Sequence, residues 1–168
     1  MLKKSFSRLL LAAFGLFMLT GLQANEVSIP VLNDLQADGQ ASQQKQVPIV
    51  VLFSATHCGY CTIIKDDFLK PMLISGDYTD KAVIRVIEID SYAEVRDENG
   101  RSVSAGAFAD RYDISLTPTV AFLDAEGNEL APRMVGVTTV EYYGGYLDAA
   151  IDTSRQQLHA RQQLAANP

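Results

Sequence analysis

Cys58 and Cys61, separated by two residues, are the only cysteines of the 168-residue chain. They follow an apolar run that ends at Phe53, and they precede a segment whose apolar residues recur with helical spacing. A Cys-x-x-Cys pair at a strand-to-helix junction is a redox element more often than a structural one. The start of a helix favours a reactive thiolate at Cys58, and Cys61 lies one turn on, close enough to attack a mixed disulfide. The spacing therefore predicts thiol–disulfide chemistry.

Two other interpretations of this pair are an inert short-range disulfide and one half of a zinc site. A zinc site needs four ligands as a rule, and beyond the cysteines the chain offers only two histidines, His57 and His159. His159 lies in a polar tail, where we expect no functional role. The pattern therefore predicts no metal ion and no cofactor.

The first 24 residues have the features of a secretory signal peptide. Three basic residues precede an apolar stretch at residues 9–19, and Ala24 is a small residue suited to cleavage. The stretch is shorter than the roughly 20 apolar residues that a spanning helix needs. Because Leu22 is a mediocre residue for a cleavage site, an uncleaved N-terminal anchor is the alternative. We expect export to the periplasm, with no stable membrane insertion after cleavage.

The composition limits the partners that the protein can have. The chain carries 14 Lys and Arg against 20 Asp and Glu, a net charge of −6, and loss of the basic leader would leave it more acidic. Such a charge does not suggest a nucleic acid or an anionic membrane as partner. Export would place the cysteine pair where disulfides form and exchange. A small secreted protein stabilised by disulfides would usually carry more than one pair, so a single pair fits redox chemistry better.

Alternating apolar runs and helical patterns predict one α/β domain. The domain boundaries we expect are a signal peptide at 1–24, an N-terminal extension with a short helix at 25–47, the main domain at 48–152 and a polar tail at 153–168. Strands are predicted at residues 49–53, 82–90, 119–123 and 133–135, and helices at 31–38, 61–72, 105–112 and from 138 onward. Pro71 should end or bend the second helix, Gly39 should end the first, and the chain past Thr153 should fray.

This order of elements resembles the thioredoxin superfamily over about residues 48–151. The resemblance is carried by Cys58-Gly59-Tyr60-Cys61, by the segment from Tyr112 into the third strand with Thr117-Pro118-Thr119 at its head, and by a glycine after the last strand, Gly136. Within the superfamily the chain looks like exported thioredoxin-like proteins of Gram-negative bacteria, some of which serve sulfur-oxidation or cytochrome-maturation systems. The resemblance implies a thioredoxin-like fold, with a central mixed sheet of about four strands flanked by helices.

The resemblance also implies roles for the residues of the motif. Cys58 would be the exposed nucleophile and Cys61 the buried resolving thiol, while Gly59 and Tyr60 would tune the reduction potential. Next to Cys58, His57 either stabilises the thiolate or is a solvent-exposed residue at the lip of the site with a weak effect.

A second implied site lies at Thr117 and Pro118. Pro118 would be a cis proline packed against the disulfide, and it would turn the Thr117 backbone outward, where an extended substrate can pair with it as an added strand. The alternative is an ordinary trans proline at the start of a strand.

The chain departs from cytosolic thioredoxins near the cysteines. His57 and Tyr60 stand where those proteins have Trp and Pro, and Leu52 stands where they bury an aspartate that assists proton transfer from the resolving thiol. Glu88 on the neighbouring strand is a possible proton acceptor, although strand alternation could aim it at solvent. The connection at residues 91–104 is long, and we predict a lip there that narrows the choice of partner, the alternative being a passive surface insertion.

These features predict a periplasmic thiol–disulfide oxidoreductase that reduces or exchanges disulfides in exported proteins through Cys58 and Cys61. The expected partners are exported proteins with disulfides or thiols, and the expected electron donor is a membrane thiol relay. We expect the protein to be a monomer. Alternatives that use the same cysteines are a disulfide isomerase and a copper-handling protein. The bacterial isomerases carry a separate N-terminal dimerisation domain, for which residues 25–47 are too short. Against copper, no methionine is placed near the pair.

Overall fold

The computed structural model describes residues 27–166, which contain six strands, five α-helices and one π-helical segment. In chain order they are α1 (Leu35–Lys45), β1 (Ile49–Ser54), α2 (Gly59–Ile63), a π-helical segment (Ile64–Leu69), α3 (Lys70–Ser75), β2 (Val83–Glu88), β3 (Glu94–Arg96), β4 (Ser102–Ser104), α4 (Ala105–Arg111), β5 (Thr119–Leu123), β6 (Glu129–Val135) and α5 (Val140–Ala166). The predicted signal peptide and its cleavage site lie outside the described residues. Within those residues no helix is both long enough and apolar enough to cross a membrane.

The central sheet has four strands in the order β2-β1-β5-β6. β1 pairs in parallel with β2 and antiparallel with β5, and β5 pairs antiparallel with β6. This mixed sheet with flanking helices confirms the predicted fold class. β6 is longer than predicted and contains Pro132, which an edge strand tolerates because one side of its backbone needs no ladder hydrogen bond.

Two apolar cores cover the two faces of β1, which explains its unbroken apolar run. Val50 and Leu52 pack with residues of the π-helical segment and α5, whereas Val51 and Phe53 pack with α1 and α4. All six residues of β1 are buried. Because burying one large aliphatic side chain contributes about 1.5–3 kcal/mol, β1 has a strong preference for this central position.

The first helix lies later in the chain than predicted. It runs from Leu35 to Lys45, whereas the sequence predicted residues 31–38 with an end near Gly39. The Asp34 side chain accepts a hydrogen bond from the Ala37 N–H at 2.9 Å and begins the helix. Gly39 does not end it because a tertiary contact needs a glycine there: a Cβ at this position would lie 2.8 Å from the Ala125 carbonyl oxygen.

The helix behind the cysteines continues past Pro71. α2, the π-helical segment and α3 follow one another without a break, and together they are called the redox helix. The Lys70 N–H bonds to the Lys65 carbonyl, five residues back, and this wider turn comes immediately before Pro71, which has no N–H to donate. The helix stops at Gly76, whose φ of 76° is left-handed. Of the two outcomes expected for Pro71, that it ends or bends the helix, the first is therefore wrong: the helix continues to Ser75, with a π-helical segment just before the proline.

Residues 91–104 form a two-stranded hairpin, β3–β4, rather than an open loop. Its turn is built around Asp97, a buried carboxylate that accepts hydrogen bonds from the Asn99 and Arg101 N–H groups and from the guanidinium groups of Arg101 and Arg111. Burial favours the neutral acid, but these hydrogen bonds outweigh it and lower the pKa of Asp97 to about 2. Asp97 therefore anchors the insertion to the end of α4.

The hairpin does not form the predicted lip. Its turn residue Glu98 lies beside Gly127, in the turn between β5 and β6. In the pairing of β1 with β5, Ile49 lies opposite Leu123 and Phe53 lies opposite Thr119. The β5–β6 turn, which follows Leu123, is therefore at the edge of the sheet opposite to Cys58. The first and last residues of the insertion remain near the end of β2, where Glu94 pairs with Ser104, and Tyr92 is fully exposed there.

The C-terminal segment is helical and packed, so the prediction that it frays past Thr153 is wrong. α5 runs to Ala166, and Ser154 is buried. An Arg161 guanidinium nitrogen bonds to Asp124 Oδ2 at 2.7 Å, and His159 Nε2 lies 3.3 Å from the Gln46 carbonyl oxygen. The polar side chains of the tail thus have partners in the β5–β6 turn and at the end of α1.

Candidate active site

The cysteine pair lies at the start of the redox helix. Cys58 is its N-terminal cap, with extended backbone, and the Cys58 Sγ accepts a hydrogen bond from the Cys61 N–H at 3.2 Å. The two residues form a disulfide, with their Cα atoms 5.2 Å apart. Cys58 is partly exposed and Cys61 is fully buried. Each Sγ occupies the place that a thiol or thiolate takes in the reduced protein, so the accessible sulfur is at the helix start and the second lies behind it.

The loop that leads into Cys58 is tied to the end of β2 by Asp90. The Thr56 N–H lies 3.0 and 3.1 Å from the two Asp90 carboxylate oxygens, and the Thr56 hydroxyl donates to one of them at 3.1 Å. The Thr56 backbone hydrogen bond is the main cause that lowers the pKa of Asp90, with the charge of His57 as a smaller one. Sequence reasoning missed this pair, although an aspartate two residues after the neighbouring parallel strand was a usable signal.

The three remaining motif residues, His57, Gly59 and Tyr60, are exposed around Cys58. His57 forms no hydrogen bond or ion pair with any residue between 27 and 164. The Tyr60 side chain is 56% exposed and lines a shallow apolar depression with Ile63. Any molecule that approaches Cys58 from solvent therefore meets these residues.

The Thr117–Pro118 peptide bond is cis. The Pro118 carbonyl accepts a hydrogen bond from the Gly136 N–H at 2.8 Å, and the Thr119 hydroxyl donates to the Leu116 carbonyl at 2.7 Å. Because Thr119 pairs with Phe53 near the end of β1, the cis bond lies at the edge of the sheet where the cysteine loop begins. Neither backbone group of Thr117 takes part in the main-chain hydrogen bonds of the turns and loops described for residues 27–166.

Glu88, the suggested proton acceptor, faces the redox helix. Its Oε1 accepts a hydrogen bond from Lys65 Nζ at 2.9 Å, while its Oε2 is buried and has no partner. Ser54, opposite Glu88 in the β1–β2 pairing, is fully buried and its hydroxyl also has no partner. Leu52 is fully buried in the apolar core.

The structure thus brings all eight predicted site residues together at one edge of the sheet: His57, Cys58, Gly59, Tyr60, Cys61, Glu88, Thr117 and Pro118. His159 lies at the opposite edge, beside Gln46. Within residues 27–166, no group of three or more His, Cys, Asp or Glu side chains is arranged to hold a metal ion.

Comparisons with known proteins agree with this geometry. A family model described as a thioredoxin-like domain matches residues 35–151, and no curated protein matches the sequence significantly. Among solved structures, the thioredoxin of Malassezia sympodialis aligns with a TM-score of 0.52 and 21% identity, over 79% of this chain and 98% of that one. A poplar thioredoxin h mutant aligns with a TM-score of 0.51 and 18% identity, over 76% and 84% of the two chains. At these identities the structural matches show the fold alone.

Proposed function

The chain belongs to the family of thioredoxin-like domains and is a thiol–disulfide oxidoreductase that uses Cys58 and Cys61; from this premise we propose that it works in the periplasm, where it reduces or exchanges disulfides in exported proteins. The observation that carries the proposal is the position of the pair, with a partly exposed Cys58 capping a helix and a fully buried Cys61 one turn behind it.

The position of Cys58 suits a nucleophile. In the disulfide form its Sγ already accepts the Cys61 N–H, and in the reduced protein the same hydrogen bond and the helix dipole stabilise a thiolate. The thiolate attacks one sulfur of a client disulfide, a bond forms between that sulfur and Cys58, and the other client sulfur leaves as a thiolate. Cys61 is shielded from solvent, which limits it to the second step.

The second step returns the pair to the disulfide form. Cys61 Sγ attacks Cys58 Sγ, the bond between Cys58 and the client breaks, and the second client thiolate leaves. Two electrons pass from the cysteine pair to the client. Exchange in the opposite direction follows the same steps in reverse, with a client dithiol as the reductant.

The client binds as an extended segment across the cis bond. The N–H and C=O of Thr117 are free to pair with a client backbone, as in strand addition, and Pro118 is held by Gly136. Leu116 and Val135, both 53% exposed, supply apolar contacts on the two sides. His57, Gly59 and Tyr60 surround Cys58, so they contact the client next to its disulfide and tune the reduction potential.

The cellular setting rests on the sequence of the first 24 residues, which has a basic start, an apolar stretch and a small residue at the cut. In the periplasm a reductase needs a continuing supply of electrons, and a membrane thiol relay is the donor class that fits. The protein acts as a monomer and as a soluble carrier between that relay and its clients.

A trapping experiment tests the function. Cys61→Ala removes the resolving thiol, so client proteins should accumulate as mixed disulfides with Cys58 when the reduced variant is added to a periplasmic extract. Cys58→Ala is the matched control and should trap none. Equal capture by the two variants, or none by Cys61→Ala while the wild type reduces insulin, would contradict the proposed assignment of nucleophile and clients.

A further inference from the structure

A short segment of the N-terminal extension runs alongside the outer edge of β2. This segment, residues 30–34, is called the strap. The Leu32 N–H donates a hydrogen bond to the Val86 carbonyl at 2.8 Å, and the Arg96 N–H donates one to the Asn33 carbonyl at 2.9 Å. The strap therefore lies between β2 and β3 and joins the β3–β4 hairpin to the central sheet.

An apolar cavity of about 190 Å³ opens where the strap, the end of β2 and the base of the hairpin meet. Its rim includes Val31, which is 53% exposed, and Ala93, whose neighbour Tyr92 is fully exposed. Its other apolar lining residues are buried in the core shared with α1 and α4: Leu32, Ile87, Val95 and Ala105. Exposed apolar surface beside a preformed cavity is typical of a binding site. Because pockets for drug-sized ligands measure roughly 300–1,000 Å³, this smaller cavity suits a single side chain.

The cavity lies at the same edge of the sheet as the cysteines. Glu88, one of its lining residues, bonds to Lys65 of the redox helix at 2.9 Å. Ser91, another, follows Asp90, whose carboxylate holds the loop that leads into Cys58. The strap is the second neighbour of β1 on this side, so the cavity is on the order of 10 Å from the end of β1, at about 4.8 Å per strand.

The cis bond at Thr117 lies on the other side of Cys58, because β5 is the other neighbour of β1. A client whose disulfide reacts at Cys58 can therefore contact Thr117 with one part of its chain and the cavity with another. This continuity with the site of reaction favours a segment of the protein client as the occupant.

The surface beside the cavity is acidic. Asp90 and Glu94 are both exposed, and they accept hydrogen bonds from neutral hydroxyl groups, those of Thr56 and Ser102. Their negative charge repels anionic lipids and nucleic acids, and it attracts a partner segment that carries Lys or Arg. The occupant that fits best is therefore an apolar side chain next to a basic one.

We propose that this cavity is a second client-binding site, which takes one apolar side chain of the client while an adjacent Lys or Arg faces Asp90 and Glu94. The insertion then selects clients through the cavity at its base rather than through a lip. The proposal rests on the proposed function, since it describes which disulfide-bearing segments that reaction prefers.

Activated peptides test this site. Each peptide carries one cysteine as a mixed disulfide with thionitrobenzoate, and attack of the Cys58 thiolate on the peptide sulfur releases the coloured thionitrobenzoate thiolate. A Leu-Lys pair is placed about three residues from the cysteine, which spans about 10 Å in an extended chain, on its N-terminal side in one peptide and on its C-terminal side in another. Matched peptides carry Ser-Lys or Leu-Ser instead.

The reduced full chain should discriminate among these peptides. On one of the two sides, Leu-Lys should react about tenfold faster than Ser-Lys, because only leucine fills the cavity. Leu-Ser should react about twofold more slowly than Leu-Lys at low salt, and this smaller difference should vanish at high salt.

Variants of the rim separate the cavity from a general preference for apolar peptides. Ala93→Gln places a larger polar side chain at the cavity, and Val31→Thr keeps the shape of the rim but makes it polar. Both should reduce the advantage of Leu-Lys over Ser-Lys and leave the Ser-Lys rate unchanged, with thermal unfolding to show that each variant is folded. Ile74→Gln, at an exposed apolar residue near the far end of the redox helix, is the control and should keep the full advantage.

Three results would overturn the proposal and leave the proposed function intact. The first is an equal rate for Leu-Lys and Ser-Lys on both sides of the cysteine. The second is an advantage that persists in both Ala93→Gln and Val31→Thr. The third is a wild-type dimer that Ala93→Gln dissociates, since the cavity would then bind a second copy of the chain. A reduced wild type that attacks neither the peptides nor Ellman's reagent would instead overturn the proposed function.

Discussion

The Asp90 carboxylate accepts hydrogen bonds from both the N–H and the hydroxyl of Thr56, which stands two residues before Cys58. The contact joins the end of β2 to the loop between β1 and the redox helix. It also places a negative charge beside the cysteine loop, where it opposes the formation of a thiolate. Asp90 therefore holds the loop, and we expect its charge to disfavour the reduced form of the pair.

Asp90→Asn should make the Cys58–Cys61 disulfide more oxidising. The amide can still accept from Thr56, but the charge that opposes the thiolate is gone, so the reduction potential should rise by on the order of 10 mV at low salt. Equilibration with glutathione measures this shift, which should shrink as salt is added. Asp80→Asn, at the opposite edge of the sheet, is the control. An equal shift in both variants would argue against a local effect of Asp90.

The Asp97 anchor should make the stability of the protein dependent on acidic pH. The pKa of Asp97 is lowered to about 2 in the folded protein, whereas an unfolded aspartate has a pKa of about 3.9. The folded state therefore gains stability from this group above about pH 4, and that gain is lost as the pH falls towards about 2. The difference in unfolding free energy between wild type and Asp97→Asn should narrow over this interval, as measured by urea unfolding. Asn99→Ala alters the same turn without a charge, so its effect should not vary with pH in this way.

Two glycine-to-alanine substitutions in helices should have opposite effects on stability. In Gly39→Ala the new Cβ would meet the Ala125 carbonyl at 2.8 Å, and the displacement should lower the free energy of unfolding by about 1 kcal/mol or more. In Gly145→Ala the Cβ meets no atom within 4 Å. Because alanine has a higher helix propensity than glycine, this substitution should raise the free energy of unfolding by up to about 1 kcal/mol. Thermal unfolding of the two variants measures the difference. A stabilised Gly39→Ala would contradict the close approach of α1 and the β5–β6 turn.

Arg161→Met should destabilise the protein without altering its redox chemistry. The substitution keeps an apolar stem but leaves the buried Asp124 carboxylate without its partner in α5. Because Arg161 is about half exposed and Asp124 keeps bonds to the β5–β6 turn, the loss should be about 1 kcal/mol. Gln163→Met, an exposed neighbour, is the control. A changed reduction potential in Arg161→Met would be unexpected, since this contact is at the edge opposite to Cys58.

The features that depend on local pattern were accessible from the sequence. The unbroken apolar run of β1 identified a buried strand, the spacing of Cys58 and Cys61 identified a redox motif, and together with Pro118 they indicated the family. Such signals lie in consecutive residues, because strand burial and helix starts depend on the chain nearby. The interpretation of residues 1–24 as a signal peptide is of the same kind and stays a prediction.

Where the sequence prediction was wrong, contacts between distant residues decided the outcome. Gly39 lies inside a helix at a point where the Ala125 carbonyl leaves no room for a Cβ. The tail after Thr153 continues as a helix whose Arg161 side chain bonds to Asp124. The insertion after Asp90 runs to the far edge of the sheet because Asp97 binds Arg111. No local pattern contains these partners.

The features of the active site also divide into those that the sequence determines and those that the tertiary structure determines. The sequence by itself determined which residues carry the chemistry, since the cysteines and their spacing specify a thiol–disulfide exchange. Only the tertiary structure decided what surrounds them: Asp90 against Thr56, and Glu88 beside Ser54 with Lys65 holding one oxygen. The reason is that the reactivity of a motif follows from its own atoms, whereas its charge environment comes from strands and helices that meet it only after folding.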